Sequence, residues 1–111
     1  MKDFRFQKKD RVRPIPGDVW WVDNLRFEDN SGMKDRPILI IGSKGKDIIY
    51  RKCTTKQSQS GNRYRVIDTV SAGLDQDTYI DGEKHFISRT SLAGRLGHLS
   101  EEDWENLKGG M

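Results

Sequence analysis

The chain has 111 residues, the size of one domain, and 33% of them are hydrophobic while 33% are charged. Its longest apolar run, Ile38 to Ile41, is far too short to cross a membrane, and its basic start lacks a following apolar segment. These features exclude a membrane span and predict no secretory signal peptide. The single cysteine, Cys53, cannot form an internal disulfide, which indicates a cytoplasmic protein.

Charge is distributed unevenly, although the net charge is only +3. Residues 44–65 carry seven Lys or Arg against one Asp, whereas residues 66–83 carry five acidic residues and no basic one. A basic patch of this kind is typical of a protein that binds a polyanion. On charge alone, an ordinary solvated surface remains the more common explanation.

The elements are predicted from clusters of β-branched and aromatic residues between turn-forming residues. A basic arm, residues 1–14, precedes a single domain, residues 15–111. The turn-rich segment 25–35 is predicted to be a loop. The predicted strands are 17–24, 36–42, 47–54, 63–70, 77–82 and 85–92, the last of which ends in a helical turn.

The strand 36–42 is apolar on both faces, as expected for a central strand, and forms a hairpin with 47–54. A helix over 99–110 follows from Ser100 as its N-cap, Asp103 three positions later and Gly109 at its end. Many short strands and one helix predict a small, closed or half-closed β-barrel.

Motifs for metal binding, phosphate-binding loops and nucleophile elbows are missing from the sequence. His85 and His98 could transfer protons near neutral pH, but a structural role is favoured for each. Cys53 is interpreted as a buried core thiol. Trp20 and Trp21 are consecutive in a strand and face opposite sides, so one belongs to the core and the other lies under a loop or on a binding surface.

Arg36 and Thr54 are expected at the same open end of the central hairpin. A guanidinium beside a hydroxyl is a plausible phosphate-binding pair, because its donors form a rigid fork that matches phosphate oxygens. From these residues alone, a structural role is favoured over a functional one.

The order of motifs resembles the MazF/PemK (Kid-like) family of toxin endoribonucleases. The segments that carry the resemblance are GDVWWVD, RPILIIG, CTT, AGLDQDTYID, FISRTSL and LSEEDWENL, between about residues 15 and 108. In that family a Gly-Asp-aromatic strand precedes a loop, Arg-Pro opens an apolar strand, and the next strand ends in Thr or Ser. The loop 25–35 has its own sequence, so cleavage specificity cannot be carried over.

The resemblance implies an SH3-like small β-barrel of the MazF/PemK/CcdB type with a C-terminal helix, assembled as a homodimer. It implies a type II toxin that cleaves single-stranded RNA at specific sequences without a metal or other cofactor. It also implies a cognate antitoxin that blocks the RNA groove. The catalytic positions fall on Arg36 and Thr54, with Thr55 as the alternative if the register slips by one.

Further basic residues near this pair are predicted to contact the RNA backbone. They are Lys34, Lys52, Lys56 and Arg63. Two other functions remain open: a CcdB-like toxin that binds a topoisomerase without chemistry, and a β-barrel that binds RNA or protein without cleaving it. The first shares the fold, and fold does not determine function.

Overall fold

The structure, a computed structural model, describes residues 13–26, 33–56 and 62–109. Within them the chain forms seven strands, a 3₁₀ turn (Arg89–Ser91) and one helix, α1 (Glu101–Gly109). The strands are β1 (Asp18–Arg26), β2 (Met33–Lys44), β3 (Asp47–Thr54), β4 (Arg63–Arg65), β5 (Tyr79–Asp81), β6 (His85–Ser88) and β7 (Leu92–His98). The expected mainly β fold with a C-terminal helix is confirmed, and residues 1–12 of the basic arm lie outside the described residues.

The strands form an antiparallel sheet in the order β4-β5-β3-β2-β1-β7, and β6 pairs with β3 as well. The first half of β3 pairs with β6, and its last two residues, Cys53 and Thr54, pair with β5. The 3₁₀ turn carries the chain from β6, on one side of β3, to β7, on the far side of β1. This connection links the two outer strands of the part of the sheet ordered β6-β3-β2-β1-β7. None of the described helices is long and apolar enough to span a bilayer.

Strand β2 is the centre of the core, as predicted, because both of its faces are covered. Ile38 and Ile40 pack in one cluster with Trp20 and Tyr50, while Leu39 packs in a second cluster that includes residues of β5 and α1. All three aliphatic side chains are 0–1% exposed. Burial of each of these side chains stabilises the fold by roughly 1.5–3 kcal/mol, so β2 is a rigid base for Arg36.

A buried carboxylate fixes the start of β1. Asp18 is 0% exposed and accepts hydrogen bonds from the Ile15 backbone N (3.1 Å), Trp20 Nε1 (3.3 Å), Arg95 Nε (3.2 Å) and His98 Nδ1 (2.8 Å). A buried charge persists only when it is paired and hydrogen-bonded in this way. Asp18 therefore ties β1 to the end of β7.

The predicted strand 63–70 is too long, since β4 ends at Arg65. The backbone N–H groups of Ile67 and Asp68 donate to the Asp103 carboxylate at 2.8 and 2.9 Å rather than to a neighbouring strand. The Ile67 side chain is left 60% exposed. The alternation of residues 63–70 predicted a strand, but a carboxylate from the distant helix α1 takes the donors that a strand would have used.

The predicted strand 85–92 corresponds to strand β6 and the 3₁₀ turn. A further strand, β7, follows where none was predicted. The expected helical turn is present as the 3₁₀ turn, but β7 continues through a segment with two glycines, which are poor strand formers. Gly97 is required by packing, because a Cβ there would lie 2.5 Å from the Ser71 carbonyl oxygen. The missing strand signal thus reflects a close approach of two backbone segments.

Helix α1 begins as predicted, with Ser100 Oγ accepting from the Asp103 backbone N at 3.1 Å. The Asp103 side chain does not return to the backbone of Ser100 as in a capping box, since its oxygens bind the Ser100 hydroxyl and the segment at residues 67–68. The predicted loop 25–35 is shorter than expected, because β1 extends to Arg26 and β2 begins at Met33.

Candidate functional site

A cavity of about 780 Å³ opens between the first half of β2, the end of β3, strand β4 and the segment around residues 73–76. Its size falls within the range of small-molecule and nucleotide sites, which is roughly 300–1,000 Å³. Six of the seven residues singled out from the sequence line it. They are Arg36, Lys52, Thr54, Thr55, Lys56 and Arg63. The seventh, Lys34, lies in β2 opposite Leu25, and its side chain is outside the described residues.

Arg36 is the fourth residue of β2, opposite Val22 of β1, and its side chain is partly buried. Burial lowers the pKa of this guanidinium. Arg63 lowers it further, while Cys53, Tyr50 and Asp81 act in the opposite direction. A desolvated cation beside a second cation favours an anionic ligand, because the ligand's negative charge compensates both effects.

Thr54 and its alternative Thr55 both line the cavity. Strand β3 ends at Thr54, so Thr55 lies beyond the part of the chain in which alternation applies. Thr54 is half-buried, and its Oγ1 accepts a hydrogen bond from the Lys56 backbone N at 3.2 Å. Its hydroxyl proton can still be donated to a ligand oxygen.

The lysines and Arg63 differ in how they are held. Lys52 is only 5% exposed, whereas Lys56 is exposed at the rim. Arg63 donates from Nη1 to the Lys56 carbonyl at 2.8 Å, and its Nη2 lies 3.6 Å from Asp81 Oδ2. Arg63 therefore bridges β4 to the end of β3 as well as facing the cavity.

Residues that sequence reasoning did not assign to the site complete its walls. Asp81 places a carboxylate among the basic residues, and its backbone oxygen accepts from Arg51 Nε. Burial lowers the pKa of Arg51, and the charge of Asp81 acts against this effect. No sequence signal pointed to Asp81, because its position depends on β5 pairing with both β3 and β4.

The tryptophan pair divides as predicted. Trp20 is 9% exposed in the core, and Trp21 is half-buried on the cavity wall.

Neither described histidine lines the cavity. His85 lies 5.4 Å from the Tyr50 ring between centroids, and His98 Nδ1 lies 2.8 Å from Asp18 Oδ1.

Cys53 is buried, as predicted, and is expected to be inert in the folded protein. Burial raises the pKa of its thiol to about 12, although Arg36 and Arg51 lower it in part. Since the thiolate is the reactive form, iodoacetamide at pH 8 should leave Cys53 unmodified in the native protein and alkylate it in urea. Mass spectrometry of the two samples measures this difference, and rapid native alkylation would contradict the buried placement.

Two solved structures of mycobacterial proteins share this fold. An endoribonuclease in complex with its cognate antitoxin from mycobacterial species matches with a TM-score of 0.64 and 16% identity, over 86% of this chain and 88% of that chain. The Mycobacterium tuberculosis toxin MazF-mt6 matches with a TM-score of 0.63 and 18% identity, over 83% and 89%. No protein-family model matches the chain, and a comparison with curated proteins gave no match. The chain therefore has the fold of the MazF toxins.

Proposed function

We propose that this protein is the toxin of a type II toxin-antitoxin system, an endoribonuclease that cleaves single-stranded RNA at specific sequences. The observation that carries the proposal is the lining of the cavity. It includes Arg36 of β2, the two threonines, and further basic residues of β3 and β4. A phosphodiester needs such a set of donors and positive charges. The MazF-type fold supports the same function, as does the order of motifs between about residues 15 and 108.

The proposed reaction uses the RNA 2′-hydroxyl as nucleophile. Its oxygen bonds to the adjacent phosphorus, the bond from phosphorus to the 5′ oxygen breaks, and the proton lost from the 2′-hydroxyl is balanced by one gained at the leaving 5′ oxygen. The products are a 2′,3′-cyclic phosphate and a 5′-hydroxyl, and no water is consumed. Arg36 stabilises the charge that develops on the phosphorane oxygens.

Thr54 is the proposed partner of Arg36, orienting the phosphate or the 2′-hydroxyl, and Thr55 lies in the same cavity as the alternative. Arg36 is a poor base, since a guanidinium stays protonated near neutral pH. Asp35 and Asp75 also line the cavity, and carboxylates are among the side chains that serve as general bases in enzymes. Lys34, Lys52, Lys56 and Arg63 are proposed to hold the RNA backbone, which makes RNA affinity decrease with ionic strength.

The proposed assembly is a cytoplasmic homodimer with a cognate antitoxin that covers the basic cavity, and the toxin-antitoxin complex is proposed to bind DNA. One structure of the same fold is a complex with its cognate antitoxin, which supports the antitoxin as a partner.

The test is to incubate the purified protein with mixed-sequence RNA in EDTA and to map both ends of every product. We expect cuts at a short recurring sequence, with cyclic phosphate and 5′-hydroxyl ends. RNA that is bound but left intact would instead support a non-catalytic barrel. RNA that is neither bound nor cut would overturn the proposal, and inhibition of a topoisomerase would then identify the CcdB-like alternative.

A further inference from the structure

The cavity has an apolar side as well as a cationic one. Trp21 of β1, Pro37 of β2, Leu96 of β7 and Leu74 line it, in addition to the basic residues described above. Leu96 is 38% exposed, so this apolar surface is open to a ligand. A nucleotide has the matching composition, with a charged phosphate and a flat aromatic base.

Trp21 is held in a defined orientation. Its indole Nε1 donates to Asp23 Oδ1 at 2.9 Å, and the neighbouring Trp20 is anchored in the core on the opposite face of β1. A ring fixed in this way loses little conformational entropy when a ligand stacks on it.

The strands beside Trp21 leave space next to the ring. Trp21 is directly opposite Pro37 on β2 and Gly94 on β7. A Cβ added at Gly94 would meet no described atom within 4 Å, so β7 presents open space on the flank where most residues would place a side chain. The register of β7 shifts between Gly97 and Arg95, and this irregularity leaves Leu96 without a cross-strand partner in β1 and directs its side chain to the cavity.

The Trp21 ring and the predicted phosphate-binding residue Arg36 line the same cavity. In the β1–β2 register, Trp21 faces Pro37 and the next pair is Val22 with Arg36. Successive side chains of a strand point to opposite faces, so the indole and the guanidinium leave the β1–β2 pair on different faces, yet both line the same cavity. We propose that Trp21 stacks on a nucleobase of the RNA whose phosphate Arg36 binds in this cavity, in the space left open by Gly94.

This inference rests on the proposed function and adds the base-binding half of the site. The test uses a labelled single-stranded oligodeoxynucleotide of mixed sequence, which lacks the 2′-hydroxyl and is not cleaved. An abasic oligonucleotide of the same length has the same phosphates without bases. Fluorescence anisotropy gives the dissociation constant of each, and RNA cleavage by the wild-type protein is measured in parallel.

Trp21→Ala should weaken binding of the base-containing oligonucleotide by roughly 5- to 150-fold, the range for loss of one stacked base. Binding of the abasic oligonucleotide should change by less than about twofold, because phosphate contacts remain. Trp21→Phe should restore most of the affinity, since phenylalanine also presents an aromatic face. Circular dichroism and thermal melting establish that each variant is folded.

Gly94→Leu provides a second variant that leaves Trp21 in place. It should fill the open flank and selectively weaken binding of the base-containing oligonucleotide. Gly42→Leu is its matched control, since Gly42 is also in a strand with open space at its Cβ position but lies opposite Ile49 rather than Trp21.

Two results would overturn the inference while leaving the proposed function intact. The first is RNA cleavage by the wild-type protein together with unchanged oligonucleotide affinity in Trp21→Ala. The second is an equal loss of affinity for base-containing and abasic oligonucleotides in the folded variant. A wild-type protein that neither binds oligonucleotides nor cleaves RNA would overturn both.

Discussion

Replacing Arg36 by alanine is expected to reduce RNA cleavage by roughly 100- to 1,000-fold, the usual effect of removing one donor that stabilises transition-state charge. Folding should be preserved, because the guanidinium is only partly buried and lies outside both hydrophobic clusters. We expect the free energy of unfolding to change by less than about 1 kcal/mol. Single-turnover cleavage and urea unfolding measure the two quantities.

Arg65→Ala is the matched control for this variant. Arg65 has the same charge and lies in β4, but its side chain is 65% exposed, pairs with Asp77 and does not line the cavity. Its replacement should leave cleavage within about threefold of the wild type, since exposed charges are screened. Arg36→Lys separates charge from geometry, because lysine retains the charge without the planar fork. A folded Arg36→Ala variant that cleaves at the wild-type rate would remove Arg36 from the mechanism.

Asp103→Ala should produce a large loss of stability, about 3 kcal/mol at pH 7, because buried donors would lose their acceptor. Asp103 is 0% exposed and accepts from Tyr64 Oη at 2.6 Å and from the backbone N–H groups of Ile67 and Asp68. Urea denaturation gives the free energy of unfolding. The control Glu105→Ala, in which an exposed carboxylate of α1 loses only its pairing with Lys108, should change it by less than about 0.5 kcal/mol.

The effect of Asp103 should also depend on pH. Burial alone would raise the pKa of this carboxyl, but hydrogen bonds from Tyr64, Asp68, Ile67 and Ser100 outweigh it, and the pKa lies below its ordinary value. A lowered folded-state pKa stabilises the protein above the unfolded pKa of about 4, and this stabilisation is lost as pH falls through the folded-state value. The difference in stability between wild type and Asp103→Ala should therefore shrink below about pH 4. A difference that stays constant down to pH 2 would contradict the assignment.

Local sequence was sufficient for the central hairpin. The predicted strand 47–54 has the observed bounds of β3, and the apolar run of β2 is buried on both faces. Sequence was misleading where long-range contacts replace local preference. Residues 66–70 alternate like a strand, yet Asp103 of α1 takes two of their backbone donors, and β7 was missed because its glycines serve close packing.

The sequence by itself determined the class of fold, the central hairpin, the start of α1 and the placement of Arg36 and Thr54 at one end of that hairpin. These features depend on hydrophobic pattern, turn residues and capping, which act between neighbours along the chain. Only the tertiary structure decided that Asp81 shares the cavity with the basic residues and that Trp21 has open space beside Gly94. Their positions depend on strand register between β1 and β7 and among β3, β4 and β5, and pairing between distant strands leaves no local signal.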